Sequence, residues 1–95
     1  MSCQSYAVEL SETAAGQREE LPEADRDEID AALKTLEDPG KQRGVARIRS
    51  RIAPVQPLLY LRAQHFGIFH TVDEDKCIIY VLAIVRRSDL TLPRR

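Results

Sequence analysis

Nine consecutive residues, Cys77 to Val85 (CIIYVLAIV), carry no charge in a chain where 31% of residues are charged. Such a run is far short of the roughly 18–20 apolar residues needed to span a bilayer. It is rich in Ile and Val, which favour extended backbone, and it is bounded by charged turns. It therefore predicts a central strand buried on both faces, and the rest of the fold must be arranged around it. With 95 residues the chain makes a single domain over 1–95, burying about two-thirds of its unfolded surface. Trp is absent and there are only three Tyr and two Phe, so the core must be built from Leu, Ile, Val and Ala.

Upstream of that run the pattern changes period. Ser5 to Leu10 (SYAVEL) alternates and predicts a first strand. Ser11 is a helix N-cap, with Glu12 in the first turn where the helix dipole favours an anion. The helix this opens, to about Leu21, is weak because Gly16 lies inside it. A second helix follows Pro22. Ile29, Ala32, Leu33 and Leu36 form one stripe at i, i+3, i+4 and i+7, and Asp38-Pro39-Gly40 ends it. Val45 to Ile52 (VARIRSRI) alternates basic with apolar, as a strand with one cationic face would, and Pro54 and Pro57 bracket a loop. Leu58 to Ala63 and Phe66 to Val72 read as strands, and Asp73 to Lys76 as the turn before the uncharged run. The fold class is α+β: an N-terminal strand, then two helices packed on one face of a mostly antiparallel sheet completed by a three-strand meander. Nothing in the chain is left over to cover the other face.

Charge divides the chain. Residues 1–40 carry eleven acidic and three basic side chains; residues 41–95 carry eleven basic and four acidic. A basic half suits a polyanion or an acidic protein partner, unless the two halves neutralise each other on folding. Arg47, Arg49 and Arg51 recur at a spacing of two. On a strand they form either a cationic ribbon for phosphate or an acidic segment, or a solvated edge that discourages aggregation. His65 and His70 have no partners at metal-ligand spacing, so no metal is expected. His70 falls on the face of Phe66, Ile68 and Val72 and reads as a core or rim residue, whereas His65, at a strand start, is a candidate contact for a partner. Tyr60 and Tyr80 read as core residues with wet hydroxyls. Cys3 and Cys77 fit no metal motif, and Met1 to Glu9 has no secretory pattern. Reduced thiols in a cytoplasmic protein are the expectation, with Cys77 acting as a small hydrophobe at the start of its strand.

Several phrases resemble the RelE/ParE toxin superfamily. The opening Tyr6-Ala7-Val8-Glu9-Leu10 with its Ser-led helix is similar to that family's start, and Leu36-Glu37-Asp38-Pro39 to its second-helix exit. Most specific is Leu61-Arg62, then His65-Phe66-Gly67-Ile68-Phe69, then Val72-Asp73-Glu74-Asp75, then Ile78 through Leu90. This runs from an arginine-bearing strand through an aromatic-rich one and an acidic turn to a buried strand with basic residues at its end. The resemblance implies the toxin of a type II toxin–antitoxin (plasmid stabilisation) module, a cognate antitoxin as partner, no cofactor and no membrane.

RelE-like members cleave messenger RNA in the ribosome, which requires a cationic pocket to activate the ribose hydroxyl and hold the phosphate. The lysines expected on the first meander strand fall at Leu58 and Tyr60, and the arginine of the next strand falls at Gly67. Of the basic residues only Arg87 has a counterpart, with Arg86 beside it, and the C-terminal tyrosine has none. ParE-like members instead inhibit DNA gyrase. Ala83-Ile84-Val85-Arg86-Arg87-Ser88-Asp89-Leu90 is similar to their closing strand, although Arg86 stands where histidine is expected. The resemblance thus implies gyrase binding rather than catalysis, with Arg62, His65, Arg86, Arg87, Asp89, Arg47, Arg49 and Arg51 as target- or antitoxin-binding residues. The alternatives are a ribosome-dependent endoribonuclease using Arg87 with Arg62, and a non-toxic relative that binds only antitoxin.

Overall fold

The computed structural model describes residues 3–41, 45–48 and 58–89, and side chains are described for these except at 41, 45–48 and 89. Strand β1 is Ala7–Leu10, helix α1 Glu12–Glu19 and helix α2 Glu23–Glu37, followed by a 3-10 turn at Pro39–Lys41. Strands β2 (Val45–Ile48), β3 (Leu58–Arg62), β4 (Phe66–Asp73) and β5 (Ile78–Arg86) complete one five-stranded sheet in the order β1-β5-β4-β3-β2. Strands β2, β3, β4 and β5 pair antiparallel in succession, and β1 pairs parallel with β5. The meander therefore has four strands rather than three. The expected strand over 45–52 begins as read; its second half lies outside the described residues.

Local signals account for the helix ends. The Ser11 hydroxyl accepts from Ala14 N at 3.0 Å and so satisfies one of the first-turn amides. Its φ and ψ of −65° and 165° are the extended values an N-cap adopts. Pro22 stands at the α2 N-cap position without a side-chain cap, its carbonyl accepting from Arg26 N at 2.9 Å. Ile29 and Leu36 are fully buried, with Ala32 and Leu33 packed beside them.

The core lies between the helices and one face of the sheet. It gathers Ala14, Ile29 and Leu36 with Leu61, Ala63, Phe66, Ile68, Ile79, Val81 and Ile84. The uncharged run is buried on one face only, which corrects the expectation of two. Ile79, Val81 and Ile84 point inward, while Ile78 and Tyr80 are half-exposed and Leu82 is 40% exposed. The inward spacing changes from two to three because of a bulge: Phe69 pairs with Ala83 but His70 pairs with Val81, leaving Leu82 as the extra residue. Strand β1 ends opposite Val81, so α1 serves the rest of that edge. Ser11 Oγ donates to the Leu82 carbonyl at 2.9 Å, and Ile84 N donates to Gln17 Oε1 at 2.7 Å.

The cysteine reading is corrected as well. Cys77 lies in the turn before β5 with φ of 54°, a left-handed conformation, and Cys3 and Cys77 form a disulfide with Cα atoms 5.7 Å apart. Parallel pairing explains it: Ala7 lies beside Ile78, so the residues preceding each strand meet at one end of the sheet.

Candidate functional site

The face of the sheet turned away from the helices is composed by strand alternation. Leu59 and Leu61 pair with His70 and Ile68 on the core side, which leaves Leu58, Tyr60 and Arg62 on the open side. Gly67, Phe69 and Thr71 join them from β4, and Tyr80, Ala83 and Val85 from β5. Within this surface the Tyr60 ring lies across Gly67 and packs against Phe69, with centroids 5.0 Å apart and planes tilted by 54°. A Cβ at position 67 would overlap Tyr60 Cε1 and stand 2.7 Å from Cζ, so glycine here is a steric requirement. Tyr60 is only 9% exposed despite standing on the open side. Arg62, exposed at the end of β3 opposite Gly67, brings a cation to this face.

The other candidate arginines and His65 are divided between different surfaces. Arg86 pairs with Phe66 on the core side of the sheet. Its guanidinium lies 4.9 Å from the Phe66 ring centroid and reaches Asp25 Oδ2 of α2 at 3.5 Å. His65 also turns to α2. Its backbone N donates to Glu28 Oε2 at 2.6 Å, and its ring Nδ1 lies 2.9 Å from Glu28 Oε1. Burial pushes the Glu28 carboxyl up, but the His65 hydrogen bonds and the charges of His65 and Arg86 outweigh it and hold the group below its ordinary range. These four side chains form a seam tying the first turns of α2 to the end of the sheet. Arg87 lies past β5 in a 3-10 turn (Arg87–Asp89). It closes the same end by donating its backbone N to the His65 carbonyl at 2.8 Å and its guanidinium to the Gln64 carbonyl at 2.9 Å.

Asp89 falls in that turn. Arg47 lies in β2 opposite Leu59, and Arg49 and Arg51 fall outside the described residues, as does the proposed ribbon beyond Arg47. His70 is 1% exposed, its Nδ1 3.2 Å from the Ile68 carbonyl. Burial holds its pKa down more strongly than that carbonyl raises it, which keeps the ring neutral in the core as its strand position predicts. Among the described residues no cluster of His, Cys, Asp and Glu is arranged to hold a metal ion.

Sequence reasoning missed three features. The Tyr60–Gly67 pair has a signal, a glycine inside a strand pattern with an aromatic residue on the neighbouring strand. The acids Asp25 and Glu28, which lie off the apolar stripe of α2, have none, because their partners Arg86 and His65 lie far away in the sequence. The Arg18–Asp30 pair between the helices has no signal either, since it depends on how α1 and α2 pack. Arg18 Nε and one terminal nitrogen meet the two Asp30 oxygens at 2.8 and 2.7 Å. A groove of about 400 Å³, lined by Val8, Leu10 and Leu33 with Arg18, Asp30, Lys34 and Glu37 around them, runs between β1 and the helices, away from the open face.

This arrangement of strands and helices is shared with solved structures. The chain is similar to the archaeal RelE–RelB complex from Pyrococcus horikoshii, with a TM-score of 0.73 and 17% identity over 90% of this chain and 99% of that one. It is also similar to the toxin–antitoxin complex RelBE2 from Mycobacterium tuberculosis (TM-score 0.74, 16% identity, 94% and 100% covered). The intact RelBE toxin–antitoxin complex of E. coli resembles it at a TM-score of 0.60 and 19% identity, covering 86% of this chain and 96% of that chain. No family model matches the sequence, and no curated protein matches it. What these likenesses show is the fold: the chain has the α+β architecture of the RelE-like neighbours, as the sequence resemblance implied.

Proposed function

We propose that this protein is the toxin of a type II toxin–antitoxin module, neutralised by a cognate antitoxin and acting in the cytoplasm by binding its target, in the ParE-like manner of DNA gyrase inhibition. The observation that carries the binding reading is the Tyr60 ring lying across Gly67. RNA cleavage by this fold needs cations on the open face. Position 67 has no side chain, and its space is filled by an aromatic ring packed on Phe69. Leu58 adds no charge, and losing even one stabiliser of a developing charge commonly costs a factor of about 10². The apolar open face and the solved neighbours, described as toxin–antitoxin complexes, both suit a protein partner.

A ribosome-dependent endoribonuclease is the second reading. It is favoured by the neighbours' description as RelE and by Arg62, exposed on the open face. A non-toxic relative that retains only antitoxin binding is the third.

Induced expression without antitoxin tests all three. Growth arrest with relaxed DNA or a DNA-damage response, and intact transcripts, supports gyrase inhibition. Codon-phased cuts in messenger RNA at the ribosomal A site overturn it in favour of the nuclease. Unimpaired growth leaves the non-toxic relative.

A further inference from the structure

We propose that Cys3 and Cys77 are a redox-operated clasp that fastens the start of the chain to the β4–β5 turn when oxidised and releases it when reduced. The inference does not rest on the toxin reading. It begins with where the two sulfurs sit. Cys3 precedes β1, the outermost strand of the sheet on its side, and Cys77 closes an exposed turn of Glu74, Asp75 and Lys76. Cys3 is buried to 8% exposure but lies outside the main core cluster, and Cys77 is half-exposed. Their bond joins the segment leading into β1 to a surface turn, and what it fixes is the entry into an edge strand.

The surroundings suit both states of the pair. Asp73 Oδ1 accepts from the backbone N of Asp75 and of Lys76, at 3.1 Å each, and so fixes the turn without help from sulfur. Tyr6 donates its hydroxyl to Glu74 Oε1 at 2.7 Å, a second tether between the same two segments that survives reduction. The Glu74 carbonyl lies 3.3 Å from Cys3 Sγ and 3.7 Å from Cys77 Sγ, so each thiol has an acceptor at hand once it carries a proton. The thiols thus stay close enough to re-form their bond. Cys77 itself has a left-handed backbone, with φ of 54°, which residues other than glycine seldom adopt.

The chemistry is thiol–disulfide exchange. One thiolate attacks a small-molecule disulfide and displaces a thiolate. The second cysteine then attacks the resulting mixed disulfide, so the protein loses two electrons and two protons and the oxidant leaves as two thiols. In a glutathione-buffered compartment the pair is open at rest and closes when the glutathione pool is oxidised.

The full-length protein is equilibrated with glutathione and glutathione disulfide over a range of ratios, quenched by alkylation and weighed intact. Hydrogen exchange and thermal melting are measured on the same samples. Under excess glutathione disulfide, neither cysteine alkylates, no disulfide-linked dimer forms, and the melting temperature lies roughly 10 °C or more above that of the reduced form. Reduction speeds exchange at the amides of Tyr6 and Ala7 while β3 and β4 keep their protection. A Cys3→Ser, Cys77→Ser double variant melts with the reduced protein and ignores the redox ratio. Alkylation of both cysteines in excess disulfide overturns the proposal, as do glutathione adducts or linked dimers in place of the internal bond. Exchange at Tyr6 and Ala7 that does not change on reduction overturns it too.

Discussion

A Cβ placed at position 67 overlaps the hydroxyl end of the Tyr60 ring, so a single methyl group there tests how firmly the open face is packed. Gly67→Ala is expected to lower stability by about 1–3 kcal/mol, because a ring buried to 9% exposure must shift away from Phe69. Urea unfolding of the variant against the parent measures it. His70 makes a different residue-scale prediction. Its folded pKa lies below the ordinary 6.5, so as pH falls below that value the unfolded chain takes up a proton that the folded chain refuses, and stability declines. A melting series from pH 7.5 to 5 should show the decline, and His70→Leu should flatten it. The reading of His70 from its strand face was legible in the sequence because Phe66, Ile68 and Val72 share its parity. That of Tyr60 as a core residue was legible too, but not what it covers, since the ring and Gly67 meet only once β3 and β4 are in register.

Helix α2 is the element that the sequence displays best and explains least. Its apolar stripe was plain, and Ile29→Ala is expected to cost about 2–5 kcal/mol, read as a lower urea midpoint at unchanged slope. The opposite, acidic side carries no such pattern, yet Asp25 and Glu28 reach across to Arg86 and His65, and Asp30 to Arg18. Helical periodicity says which residues share a side, and nothing about a histidine or arginine arriving from a distant strand. Both Glu28 and Asp30 are held below their ordinary values of 4.5 and 3.8, Asp30 by its hydrogen bonds from Arg18. Their contribution is therefore present above those values and is lost as pH falls through the lower folded ones. Glu28→Gln should destabilise near neutrality and narrow its gap to the parent below pH 4.5, a comparison made by chemical unfolding at each pH. His65 and Arg86, both candidate binding residues, tie helix α2 to the end of the sheet, so removing either lowers stability and binding tests on them need a folding control.

At the scale of the whole molecule, one core between two helices and one sheet argues for one cooperative unit. Far-ultraviolet circular dichroism and tyrosine fluorescence are expected to report a single shared transition; two separated transitions would divide the chain. The class of fold was legible because each element carried its own period. The one-sided burial of the uncharged run was not, because it depends on both helices packing against the same face of the assembled sheet. The parallel pairing of β1 with β5 was hidden for the same reason, and it decided the fate of the cysteines. It also sets a timetable. A ribosome delivers Ala7–Leu10 long before Ile78–Arg86, so the strand made first has no neighbour until the strand made last has emerged. Contacts between segments far apart in sequence are the slow ones to close. Strand β1 is therefore without its sheet neighbour until the whole stretch through β5 has been made.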